Sequence, residues 1–199
     1  MSGRVDIFIE WGLQLIQCFL DEAPPYFLQL SEGADDGKEP DFLPDGRLGR
    51  RQVYLGARSL ASEVVVHQLN ALVDQVLLIL ASWILPPEWA HTADAMSRSR
   101  KQLLRALEER YGVNVADLPG WSQVERLRED ANSLKHRGGE SLPETGPGGL
   151  ISTQRADIGA ETLQKGVEEV RRWLLALWNT TEGAKSTASS NHWLQPPAP

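Results

Sequence analysis

A guanidinium, an amide and an imidazole recur at four-residue intervals in this chain, as Arg128, Asn132 and His136, with Lys135 beside the last of them. Groups of these types suffice for metal-independent cleavage of RNA. One takes the proton from the 2′-hydroxyl, another protonates the leaving 5′-oxygen, and a cation steadies the charge that builds on phosphorus. An imidazole can do either proton job near neutral pH. A planar guanidinium can hold two phosphate oxygens at once. A short amide can position the scissile phosphate or orient the imidazole. The same residues also have an architectural reading. Asn132 can bond to a neighbouring backbone, and Lys135, His136 and Arg137 suit the negative end of a helix dipole.

The element that must carry these residues is a single helix, Trp121 to Gly139. Pro119-Gly120 breaks the chain before it. Ser122 and Glu125 have the spacing of a capping box, and Gly138-Gly139 can supply the left-handed residues that end a helix. Val124, Leu127, Ala131 and Leu134 recur at three- and four-residue steps and form an apolar stripe. Arg128, Asn132 and His136 follow the neighbouring stripe, so they line the edge of a buried face.

The run RLREDANSLKHRGG, residues 126–139, resembles the signature helix of HEPN-type domains. These are α-helical bundles common in prokaryotic toxin–antitoxin and anti-phage systems. Many are metal-independent RNases that dimerise and place two copies of an Arg…His motif in a shared cleft. The resemblance covers this helix closely and the all-helical layout loosely. Asn132 and His136 match the motif. Its arginine stands four to six residues before the histidine in the family, a window filled here by Glu129, Asp130 and Ala131, and Arg128 lies one residue outside it. The resemblance implies an RNA-directed module with His136, Asn132 and Arg128 as catalytic residues, Lys135 and Arg137 as RNA contacts, a homodimer, and no metal or other cofactor. It equally implies a second class, a catalytically silent scaffold that binds a protein partner of a toxin or defence system, because many such domains lack the motif.

Four more amphipathic segments surround that helix. The first runs from about Val5 to Leu20, with Phe8, Ile9, Gly12, Ile16, Phe19 and Leu20 as one stripe, and Pro24-Pro25 stop it. Residues 31–50 form a loop rich in Gly, Asp and Pro, with Phe42 and Leu43 as an anchor. The longest helix spans about Gln52 to Trp83, where Ala61, Val65, Leu69, Leu72, Val76, Ile79, Leu80 and Trp83 keep the helical period. Its second half is apolar nearly all round, which predicts the central helix. A third runs from about Asp94 to Arg110. Met96, Leu103, Leu104 and Leu107 face inward there, and Arg98, Arg100, Lys101, Arg105 and Arg110 face out. After a loop over 138–156, the last spans about Ile158 to Asn179, with Leu163, Val167, Val170, Leu174 and Leu177 inward. Residues 180–199 have no period and read as a disordered tail. The expectation is an all-α bundle of about five helices in one domain over residues 1–179.

Composition sets outer limits. The 199 residues are 41% hydrophobic and 24% charged, the range of a soluble globular protein. A net charge of −7 argues against a broad nucleic-acid-coating surface but leaves room for a local basic site. One cysteine, Cys18, excludes an intrachain disulfide and a cysteine-based zinc site, and it suits a reducing cytoplasm. No secretory leader is legible at the start. The longest apolar run, Val76 to Leu85, is too short for a membrane span. His67, His91 and His192 find no convergent partners for a metal, and no serine sits in a nucleophile elbow.

Overall fold

A computed structural model of the chain describes residues 5–34, 43, 48–84, 99–137 and 160–192. Five α-helices occur among them: α1 (Val5–Gly33), α2 (Arg50–Ile84), α3 (Arg100–Tyr111), α4 (Trp121–Arg137) and α5 (Ala160–His192). One 3-10 turn, Val115–Asp117, precedes α4. The all-α class expected from the periodicity is therefore the class observed.

The helices contribute to two compact units. One draws on Met1–Gly12, Ala71–Val124 and Glu168–Pro199, the other on Leu13–Asn70 and Glu125–Val167. The first has a core of Ile9, Leu72, Val73, Val76, Leu77, Leu103, Leu107, Val170, Trp173, Leu174 and Leu177. Gly12 belongs to this packing, since a Cβ there would lie 2.7 Å from a Leu72 methyl. In the second unit Leu13, Ile16, Leu20, Ala61, Val65, Leu69, Leu127, Ala131, Leu163 and Val167 are buried. Each set repeats at three- and four-residue steps along its own helix, which is why the sequence period located it.

α2 is long and apolar enough, by length and composition, to cross a membrane. Val65, Leu69, Leu72, Val73, Val76, Leu77 and Leu80 are nevertheless buried within the protein. A core helix of a soluble protein passes the same test, and the structure is compatible with one.

Several boundaries differ from those read off the sequence. α1 does not stop at Pro24-Pro25 but contains both and continues to Gly33. Two prolines remove two amide donors, a cost of roughly 3 kcal/mol or more for an interior position. Their fixed φ is nonetheless helical, and Pro24 and Ser31 beyond it are buried. Ser31 Oγ also donates to the Leu28 carbonyl at 2.7 Å. Packing offsets the local penalty. The stripe expected on α1 divides as well: Ile9, Ile16 and Leu20 are buried, while Phe8 and Phe19 are exposed. α3 begins at Arg100, where Ser99 and Gln102 form a reciprocal capping box, and ends on Gly112 at φ 65°. Arg98 and Met96, expected on this helix, lie outside the described residues, as do Phe42 and the 138–156 loop. Arg100 is no part of a solvated face. Its side chain is 6% exposed and its Nε donates to Asp74 Oδ1 at 2.8 Å. α5 runs past Asn179 to His192. Thr181 is buried, and its hydroxyl donates to the carbonyls of Leu177 and Trp178, each at 2.9 Å.

Candidate functional site on α4

The start of α4 is fixed by its surroundings in the first unit. Asn114 opens the 3-10 turn, its Oδ1 accepting from the Ala116 amide at 3.2 Å and its Nδ2 donating to Asp117 at 2.9 Å. Glu108 Oε1 accepts from the Val115 amide at 3.2 Å. The Val115 carbonyl in turn accepts from the indole of the fully buried Trp173 at 3.3 Å. Trp121, first residue of α4, lies against Trp173 with ring centroids 5.6 Å apart. Between turn and helix stands Gly120 at φ +90°, where an added Cβ would collide with the Glu169 carbonyl oxygen. Only glycine meets both conditions.

That geometry corrects the expected cap. The amides of Gln123 and Val124 both donate to the Gly120 carbonyl, at 3.1 and 3.2 Å, so the helix begins at Trp121. Ser122 is then inside the first turn rather than at its cap. Glu125 faces Arg128 instead of reaching back to the Ser122 amide.

Beyond the first turn, Leu127 and Ala131 are buried with Val124, as the apolar stripe requires. Arg128 is half-buried on the neighbouring side. Its Nη1 lies 3.6 Å from Glu125 Oε2, and the two side chains are 43% and 35% exposed. Asn132 is exposed, so it faces solvent rather than serving as a buried brace. Lys135, His136 and Arg137 occupy the last turn of the helix, and their side chains lie outside the described set. The three proposed catalytic positions therefore share one helix. Arg128 and His136 are eight residues apart, about 12 Å along the axis at 1.5 Å per residue.

The electrostatics around the row are mixed. Glu125, Glu129 and Asp130 share the helix with Arg128, so a bound anion must exchange places with a carboxylate. Among the described residues, no three His, Cys, Asp or Glu side chains converge in a way that could hold a metal ion. Burial raises the Tyr111 hydroxyl above its ordinary 10.0, with Arg110 partly opposing.

Sequence reasoning missed the brace formed by Trp121, Trp173 and Gly120. Its traces were the Pro-Gly pair before α4 and a tryptophan in the inward register of α5, but neither says which residue touches which. No family model, curated protein or solved structure matches this chain.

Proposed function

We propose that the chain is a HEPN-like, RNA-directed module whose contact surface is the outer row of α4, Arg128, Asn132, Lys135, His136 and Arg137. The observation that supports this reading is the exposure of Asn132 and the half-exposure of Arg128 beside a buried stripe. The Arg128–Glu125 contact is no obstacle, because an exposed ion pair at this spacing stabilises by roughly 0–1 kcal/mol. A phosphate that can accept two guanidinium hydrogen bonds competes with it.

The catalytic form in this reading is a homodimer. A two-fold axis brings one subunit's Arg128 towards the other's His136. His136 then acts as the proton-transfer group, Arg128 steadies the phosphorane, Asn132 positions the phosphate, and no metal is needed. The setting is the cytoplasm, and the role is that of a bacterial toxin or anti-phage defence component. A second reading is a catalytically silent scaffold for a protein partner. It is favoured by the carboxylate already beside Arg128.

Anisotropy of a labelled single-stranded RNA separates the two. Arg128→Ala and Asn132→Ala should each weaken binding by roughly tenfold, about 1.4 kcal/mol, with thermal unfolding unmoved and EDTA without effect. With three cations on the row, the logarithm of affinity should fall with that of salt at a slope of about −2. Wild-type affinity in both variants would leave the scaffold reading standing.

A further inference from the structure

Beyond the RNA reading, α1 carries an exposed apolar face, and we infer that it docks a basic amphipathic helix from another protein. Five large side chains on this one continuous helix are exposed: Phe8 (38%), Trp11 (66%), Leu15 (74%), Phe19 (40%) and Tyr26 (57%). At 100° per residue they fall within about 80° of arc. The buried residues Val5, Ile9, Leu13, Ile16 and Leu20 occupy a separate arc. α1 therefore has two apolar faces, and the core uses one. Scattered exposed hydrophobics need no explanation, but an aligned row containing a tryptophan marks an interaction surface. Phe8, Trp11, Leu15 and Cys18 also have the 3-4-3 spacing of a helix-pairing seam.

Charge selects the occupant. α1 carries Asp6, Glu10, Asp21, Glu22 and Glu32, and no Lys, Arg or His. Glu10 is held by Arg171 at 2.9 Å. Asp21 and Glu22 are exposed, and Glu22 falls within the arc of the apolar row itself. Two copies of this face would set carboxylate against carboxylate. A helix with an apolar seam flanked by Lys and Arg meets both the row and its charge.

The probe is a fluorescent three-heptad peptide with Leu in its seam and Lys and Arg beside it, tested on the full chain. Saturable binding is expected, and it should slow alkylation of Cys18, the exposed and only cysteine. Leu15→Glu should weaken binding at least roughly tenfold. That substitution adds negative charge, so attraction by net charge alone would tighten binding instead. Glu22→Lys should weaken the basic peptide and improve a Glu-flanked counterpart. The inference is overturned by absence of saturable binding, by unchanged or tighter binding to Leu15→Glu, or by a Cys18 whose reactivity the peptide does not alter. It is also overturned if the free chain already shields Cys18, or if it self-associates through a contact that Leu15→Glu dissolves.

Discussion

The first turn of α4 and the turns that follow it differ in how far they are tied into the core. Trp121 rests on a fully buried tryptophan, and Gly120 before it tolerates no side chain. Seven and eleven residues on, Arg128 is half-exposed and Asn132 exposed. The helix is anchored where it starts, and Arg128 and Asn132 lie outside its buried stripe. Substitutions at the two ends should therefore separate stability from binding.

The largest effect is expected at the anchor. Gly120→Ala combines a positive φ with a backbone collision, and it should cost about 3 kcal/mol. A shifted denaturation midpoint with unchanged slope would register it. A midpoint equal to wild type would mean that the turn before α4 relaxes freely and the contrast is false.

The two arginine–carboxylate contacts sharpen the same comparison. Asp74→Ala deprives the nearly buried Arg100 of a carboxylate, and this should cost about 2–3 kcal/mol. Glu125→Ala removes a half-exposed neighbour of Arg128, which should change stability by no more than about 0.5 kcal/mol. It should also tighten RNA binding, because the phosphate no longer has to displace a carboxylate. Equal losses of stability in the two variants would contradict the assignment of Arg128 to a surface role.

The smallest effect concerns alkaline pH. Burial raises the Tyr111 hydroxyl above 10.0, so the unfolded chain gives up this proton first. The corresponding stability is present below pH 10 and is lost as pH rises through the raised native value. Tyr111→Phe should flatten that decline slightly in denaturation curves taken from pH 9 upward. An identical decline would remove Tyr111 as its source.

Periodicity carried most of the fold. The inward residues of α5 (Leu163, Val167, Val170, Leu174 and Leu177) are all buried, as are most of those named for α2. A stripe repeating at the helical period has one way to leave water. What the sequence could not convey was which local preference yields to packing. Pro24-Pro25 is a strong local stop, yet burial of Pro24 and Ser31 carries α1 through it. Phe8 and Phe19 belong with the buried stripe by hydrophobicity and are exposed all the same, because apolar character says nothing about whether a partner is present. Arg100 reads as a surface cation until Asp74, 26 positions away, lies against it. On α4, the buried stripe of Val124, Leu127 and Ala131 was legible from spacing alone. The Gly120 start was not, because the collision that demands glycine comes from the Glu169 backbone.

In the proposed RNase, Arg128 and His136, about 12 Å apart along the axis of one helix, act together across two chains. The direct measurement is RNA cleavage by mixed dimers, with Arg128→Ala subunits combined with His136→Ala subunits in the presence of EDTA. Each variant alone should be inactive, and the mixture should recover cleavage through the one composite site that keeps both residues. A wild-type dimer that cleaves no RNA, or a mixture as silent as its components beside an active wild type, would contradict the account.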